Sequence, residues 1–342
     1  INTYMKYCSA PWNTIHITRS GLFPDSQAGV VSSCFCDAWQ SKGENTRLGN
    51  KSLSEVFNND WQKEFRSTII DQSFKHCRED VCVDFHRMEE VDNFDHVPIG
   101  PTLPTTIQLQ IDHNCNLKCK ICRKDIIYSP KKNKEASAIL RKLSQEYKEF
   151  EHRVNVHCDG SGDIFTSASY LEFFYDDNLP KCFMFNLQTN GNQLTKHMDL
   201  VIKLKDQLEM VEVSLDAGSA DVYQEVRGGK LSIVTDGIRL LKQQGIEVWT
   251  QFVVQQKNCR DIEQYIKLCK DLGVDKICLQ LMLKLPHMTY EWWQDNSVEM
   301  STQDTEYLDS LLQEIKKDPQ IEVSGGIEHL LKTKKVFQLH PN

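Results

Sequence analysis

The sequence predicts an α/β protein built on parallel strands, an open, partial (β/α)6 barrel preceded by a small cysteine-rich domain. Three observations carry this. From about residue 105 onward, apolar strand-like runs alternate with amphipathic helical stretches through six successive units. Such alternation implies parallel strands joined by right-handed crossovers. Six units fall short of the eight that close a barrel. Finally, Val97-Pro98-Ile99-Gly100-Pro101-Thr102-Leu103-Pro104 places three prolines and a glycine in eight residues. That composition fits neither a helix interior nor a central strand, so it marks a break.

The elements follow in order. Strands are expected at 106–112, 153–158, 183–189, 210–215, 247–254 and 275–282. Helices are expected between them, at about 133–150, 168–177, 195–207, 231–244 and 260–272. Gly245 and Gly273 stand where a glycine ends a helix in the left-handed conformation. Beyond the last strand, residues 284–342 show one more helix at about 303–317 and a short strand from Ile321 to Val323. The expected organisation is therefore a cysteine-bearing segment (1–97), a Pro-rich linker (98–104), the barrel (105–283) and a C-terminal extension (284–342).

Composition narrows the function. The 342 residues carry a formal net charge of −8, which argues against a nucleic-acid-binding footprint. The basic run Lys131-Lys132-Asn133-Lys134 reads as a solvated helix start. No stretch approaches the roughly 18 apolar residues of a membrane span, and the start at Ile1 shows no cationic region followed by an apolar run. A cytoplasmic protein without membrane contact is the expectation, on a chain whose missing initiator methionine suggests trimming. Disulfides are rare in that compartment. The thirteen cysteines then point to metal ligation.

Three of them form Cys115-Asn-Leu-Lys-Cys119-Lys-Ile-Cys122, directly after the first barrel strand. Three thiolates at this spacing can hold three irons of a cubane cluster. No fourth ligand follows at ferredoxin spacing, which leaves one iron open to an outside ligand. Zinc is the competing reading, although it usually takes four ligands in paired motifs.

Further motifs stand at strand ends, where sites form in parallel α/β folds. The second strand runs into Cys158-Asp159-Gly160-Ser161-Gly162-Asp163. Glycines there let backbone carbonyls approach a ligand closely. The third strand ends in Thr189-Asn190-Gly191, and the fourth in Ser214-Leu215-Asp216-Ala217. Period-two alternation sets Ser214 and Asp216 on one face. Arg227 follows eleven residues after Asp216, and the fifth strand carries Val253.

With these motifs in order, the chain resembles the radical SAM superfamily. The resemblance implies a [4Fe–4S] cluster on Cys115, Cys119 and Cys122, with S-adenosylmethionine on the open iron. It implies one-electron cleavage of the cofactor to a 5′-deoxyadenosyl radical, with electrons from a donor such as flavodoxin or ferredoxin. Gly160, Ser161, Gly162 and Asp163 would receive the methionine ammonium, in a G-S-G-D form of the family's GGEP-type element. Asn190 belongs to a shared Thr-Asn-Gly element. Ser214 and Asp216 would face the cofactor, Arg227 would pair with its carboxylate, and Val253 would lie near the adenine. Ile121 departs from the family, which commonly has an aromatic residue before the third cysteine.

The segment 1–97 resembles the family's twitch/SPASM auxiliary-cluster module, placed before the barrel as in N-terminal-twitch members. Cys8, Cys34, Cys77 and Cys82 are the expected ligands of a second [4Fe–4S] cluster, with Cys36 as alternate to Cys34. The gap from Cys8 to Gly29 exceeds the usual one, and four thiolates suit zinc equally well. A closed auxiliary cluster favours net oxidation, such as crosslinking or dehydrogenation of a peptide. Epimerisation needs a hydrogen donor, for which Cys158 is the candidate. Rearrangement or dehydrogenation of a small metabolite is the second reading. A non-catalytic electron carrier or metal-stabilised binding protein is the third. Cys182, Cys259, Cys269 and Cys278 read as core residues. Tyr290, Trp292 and Trp293 either line the entrance or pack the last helix.

Overall fold

The computed structural model describes residues 5–19, 28–34, 47–77, 82, 85, 88–91, 97–123, 125–159, 161–282, 284, 288–324, 327 and 331. Two compact units emerge. Unit one comprises Ile1–Asp112, Lys131–Ser161 and Ala168–Phe185, and unit two comprises His113–Pro130, Gly162–Ser167 and Asn186–Asn342.

Unit one holds strands β1 (Met5–Tyr7), β2 (Thr14–Arg19), β3 (Ala28–Ser32), β4 (Glu89–Val91), β5 (Thr106–Gln110) and β6 (Val154–Cys158). β5 is the expected first barrel strand. β6 lies parallel to it, with Ile107 opposite Val156. On its other side runs β2, also parallel, with Ile15 opposite Ile107. β3 adds antiparallel to β2, while β1 and β4 form a separate antiparallel pair. The alternation of β2 is legible in Thr14-Ile15-His16-Ile17-Thr18, whose two isoleucines are fully buried. The N-terminal segment thus contributes a strand beside β5, which the sequence reading did not expect.

Ile15, Ile17, Ile107, Leu109, Val154 and Val156 form the core side of these strands. Each fully buried aliphatic contributes about 1.5–3 kcal/mol. The helix Lys134–Glu146 packs Ile139, Leu140 and Leu143 inward, and Asn133 caps it by accepting from the N–H groups of Glu135 and Ala136. The helix Asp60–Ile70 carries the fully buried Arg66. Its Nε donates to Pro11 O at 2.8 Å, its Nη2 to Phe57 O at 2.8 Å and its Nη1 to Pro98 O at 3.3 Å. The Pro-rich stretch is therefore no free connector. Trp12 Nε1 bonds Val97 O at 2.9 Å and Tyr147 bonds Pro104 O at 2.7 Å, and residues 98–104 lie wholly inside unit one.

β7 (Phe183–Thr189) gives its first three residues to unit one and its last four to unit two. Unit two continues with β8 (Leu208–Ser214), β9 (Val248–Val254), β10 (Lys276–Leu281) and β11 (Ile321–Val323). β8, β9, β10 and β11 pair in that order, all parallel. Between them lie the helices Met198–Lys203, Ala220–Arg227, Leu231–Gln243, Ile262–Leu272, Tyr290–Asn296 and Thr302–Ile315. The strand–helix alternation expected of a partial (β/α)6 barrel is thus present. Gly245 and Gly273 both take φ of +68° just past their helices.

Two local differences have a physical cause. The helix expected over 195–207 is a six-residue helix, Met198–Lys203, flanked by single 3₁₀ turns. The helices Ala220–Arg227 and Tyr290–Asn296 run only eight and seven residues, too few turns for helical periodicity to show in the sequence. Among the described residues, no helix is long and apolar enough to cross a membrane.

Candidate active site

The cysteine loop lies in unit two, residues 113–130, and is held by its own backbone. Cys115 N–H donates to Ile127 O at 2.7 Å, and Ser129 N–H to Asn114 Oδ1 at 2.7 Å. Arg123 Nη1 donates to His113 O at 2.7 Å, and Lys120 N–H to Val226 O at 3.2 Å. Cys115 and Cys119 are 7% and 8% exposed, whereas Cys122 is open to solvent. Burial pushes the Cys119 thiol up to about 11, with the Arg227 guanidinium working against it. Burial also raises Cys115, opposed by a hydrogen bond from Leu117 N–H. A metal overrides such shifts by deprotonating its thiol ligands outright.

Asp163 sits beside this loop and is 2% exposed. Its Oδ2 accepts from Thr189 Oγ1 and from Asn190 N–H, each at 2.7 Å. Its Oδ1 accepts from Phe165 N–H at 3.1 Å and Thr166 Oγ1 at 3.2 Å. Its own N–H donates to Asn114 O at 2.7 Å. Four donors saturate the carboxylate. Asp163 therefore ties three chain segments together. Burial raises its carboxyl while these bonds hold it down.

Asn190, from the Thr-Asn-Gly element, reaches the cysteine loop. Its Nδ2 donates to Asn116 Oδ1 at 2.8 Å and to Cys115 Sγ at 3.6 Å. Its contact is thus with the cysteine loop.

The third knot surrounds Asp216. β8 ends at Ser214, and Asp216 takes a left-handed φ of +57°. Strand parity stops before it, so Ser214 and Asp216 do not share a strand face. Asp216 turns into the protein, 1% exposed. Its Oδ1 accepts from Val253 N–H at 2.7 Å and its Oδ2 from Arg227 Nη1 at 2.6 Å. Asn258 Nδ2 closes the knot on Asp216 O at 2.9 Å and Val253 O at 3.0 Å. Asp216 thus anchors Arg227. Arg227 keeps one buried group, Nε, without a partner. Val253 contributes backbone, and Ser214 lies half-buried opposite Gln251.

The remaining expected residues are dispersed. Ser161 donates to Asp112 O at 3.0 Å in unit one, Gly162 begins the 162–167 segment of unit two, and Gly160 lies outside the described residues. Cys158 is fully buried. It is the last residue of β6 and lies on the same buried side as Val154 and Val156. The other face of β6 carries His157, and Asp159 follows. Asp159 Oδ2 accepts from Gln108 Nε2 at 3.1 Å, while its Oδ1 is buried without a partner. Burial lifts this carboxyl to about 6, against hydrogen bonds from Gln110 and Gln108. Sequence reasoning missed Asn114, Asn116 and Asn258, and it gave no role to Asp159 and Thr189 although both stand in the strand-end motifs.

Cys8, Cys34 and Cys77 all pack against the apolar group Trp12, Phe65 and Ile69 of unit one. Cys82 is half-buried and Cys36 lies outside the described residues. Among the described residues, no three His, Cys, Asp or Glu side chains gather at the spacing that one metal ion requires.

A parallel α/β domain that collects three thiols on one strand-end loop has the architecture of an iron–sulfur protein. Residues 109–269 match the family model of the Radical SAM superfamily, so this stretch is a radical SAM domain. The family implies a [4Fe–4S] cluster and S-adenosylmethionine. The local chemistry fits: three thiols, cationic and N–H groups facing them, and a buried guanidinium Nε with no partner. The chain is 26% identical over 171 residues to the AdoMet-dependent heme synthase of Oleidesulfovibrio alaskensis, covering 49% of this chain and 42% of that one. It is 27% identical over 173 residues to the Bacillus subtilis antilisterial bacteriocin subtilosin biosynthesis protein AlbA, covering 50% and 38%. The chain thus spans less than half the length of these two relatives. Among solved structures it is similar to Streptococcus suis SuiB bound to precursor peptide SuiA, with a TM-score of 0.48 and 15% identity over 67% of this chain and 51% of that one.

Proposed function

We propose that the chain is a radical SAM enzyme that reductively cleaves S-adenosylmethionine to a 5′-deoxyadenosyl radical, which abstracts hydrogen in the oxidative modification of a peptide. One observation carries this reading. Cys115, Cys119 and Cys122 share a backbone-pinned loop inside a radical SAM domain. Cys115 and Cys119 would hold the buried side of the cluster and Cys122 its open side. The Asp216 carboxylate orients Arg227, whose free Nε suits an anionic group such as a cofactor carboxylate. Asp163 fixes the loops on which Asn190 and Thr189 stand. Burial of two of the three thiols limits access of water.

Two features support a peptide. One relative acts in the biosynthesis of the bacteriocin subtilosin. The half-buried strand positions of unit two also carry the carboxamides Gln188 and Gln251. A carboxamide both donates and accepts, as a peptide bond does. Crosslinking, dehydrogenation and epimerisation are the candidate net outcomes; the burial of Cys158, the candidate hydrogen donor for epimerisation, favours the first two. Cys8, Cys34, Cys77 and Cys82, with Cys36 as alternate, would hold the auxiliary [4Fe–4S] cluster that accepts the substrate's electron. Flavodoxin or ferredoxin would reduce the first cluster in the cytoplasm. A small metabolite is the second reading, favoured by the partnerless Oδ1 of Asp159, which suits a substrate hydroxyl or ammonium.

The test is product analysis after anaerobic iron–sulfide reconstitution. With dithionite and S-adenosylmethionine, 5′-deoxyadenosine is expected from the intact chain. None is expected from the Cys115→Ala/Cys119→Ala/Cys122→Ala variant. Equal amounts from both, or none from either while zinc is bound stoichiometrically, would overturn the reading. Deuterium transfer from labelled peptides or metabolites into 5′-deoxyadenosine then separates the two substrate classes.

A further inference from the structure

The three thiols of the loop do not share one environment. Arg227 bears electrostatically on Cys119, and the Arg123 side chain bonds Cys122. Cys115, on which Arg123 also bears, receives two N–H groups, one from the Leu117 backbone and one from the Asn190 carboxamide.

The orientation of that carboxamide follows from its partners. An asparagine can be turned end for end unless its neighbours decide the matter. Here Asn192 N–H donates at 2.9 Å, and Asn192 Nδ2 at 3.2 Å, to Asn190 Oδ1. A backbone N–H has no alternative role, so the oxygen must face Asn192 and the nitrogen must face the cysteine loop. The NH₂ group has two hydrogens. One goes to Asn116 Oδ1 at 2.8 Å and the other to Cys115 Sγ at 3.6 Å. The Asn190 backbone is held separately by its N–H bond to Asp163 Oδ2 at 2.7 Å. Asn190 and Cys115 are 6% and 7% exposed, so water cannot readily take the place of either partner.

We propose that Asn190 is a positioning residue that sets the reduction potential of the cluster through its N–H···S bond to Cys115. This rests on the radical SAM reading above. Hydrogen bonds to cluster sulfurs draw charge from them, favour the more negative reduced state and raise the potential. In a chain of net charge −8, a neutral donor does so without adding a cation.

The experiment is an EPR-monitored redox titration of the reconstituted protein, followed on the signal that S-adenosylmethionine perturbs. Iron and acid-labile sulfide are measured first. Asn190→Asp and Asn190→Ala are expected to retain iron and to shift the midpoint to lower potential, Asp further than Ala. Asn116→Ala keeps the N–H···S donor and is expected to match wild type. Unchanged midpoints in both Asn190 variants with iron retained would overturn the proposal. Should those variants lose iron, the wild-type protein decides: ¹⁵Nδ2-asparagine labelling is expected to give a ¹⁵N hyperfine coupling to the reduced cluster, and its absence would overturn the proposal. A wild-type chain that binds no iron would instead fail the cluster reading itself, and this inference with it.

Discussion

Single residues in this protein carry opposed electrostatic burdens, and each burden has a measurable sign. Asp216 neutralises the buried Arg227. Asp216→Ala strands that guanidinium, a loss of about 3–5 kcal/mol, and adding Arg227→Met should restore much of it; urea denaturation of the apoprotein reads both. Gln255 is the converse case. It is 1% exposed, and neither polar atom of its amide has a partner. Gln255→Met removes that burden and should stabilise the apoprotein by about 1–3 kcal/mol; a lower urea midpoint would refute this. For Asp159 the effect depends on pH. Its folded carboxyl titrates near 6, above the unfolded value of 3.8. Between those values the unfolded chain binds fewer protons, so stability falls as pH rises through the window. By pH 7 the penalty approaches about 3 kcal/mol. Asp159→Asn should therefore exceed wild type in thermal stability at pH 7.5, and the difference should vanish toward pH 4.

At the scale of elements, strand ends are where geometry is tightest. The chain leaving β8 passes against the helix Ile262–Leu272 at Gly218, where an added Cβ would fall 2.1 Å from Tyr265 N. Gly218 N–H and Ser219 N–H both donate to Asp261 Oδ2, at 2.6 and 3.0 Å. Gly218→Ala must push the segment off the helix and break those bonds. A loss of about 3 kcal/mol or more is expected in chemical denaturation, with the Asp216 knot loosened in turn. Most strands were legible in the sequence. β5, β6, β8, β9 and β10 lie within about two residues of their expected ends, because one apolar face and one polar face alternate along them. β2 and β3 were obscured by neighbouring cysteine and glycine motifs, and the first betrays itself only through Ile15 and Ile17. The cysteine loop was equally legible, since spacing alone defines it. The knots were not. Parity predicts a face only while the strand continues, and β8 ends before Asp216 turns left-handed. Two of the four donors to Asp163, Thr189 and Asn190, lie far from it in sequence, which no local pattern reveals.

For the whole molecule, the claim is that a radical SAM domain organises this chain around one three-cysteine cluster, with a second cluster on the N-terminal cysteines. Ligand binding to the native state alone stabilises it by mass action, and metal sites couple binding to folding. Reconstitution should accordingly raise the thermal midpoint of the intact chain and raise it less in the three-cysteine variant. The chain is acidic overall, yet Arg123 and Arg227 bear on the thiols. The most direct measurement is low-temperature EPR of the dithionite-reduced, reconstituted protein with and without S-adenosylmethionine. The account predicts an iron–sulfur signal that the cofactor perturbs and that Cys115→Ala/Cys119→Ala/Cys122→Ala abolishes. Any signal that survives in that variant should be insensitive to S-adenosylmethionine and belong to the N-terminal cysteines. A wild-type signal that ignores the cofactor, or one that the variant retains in full, would contradict it.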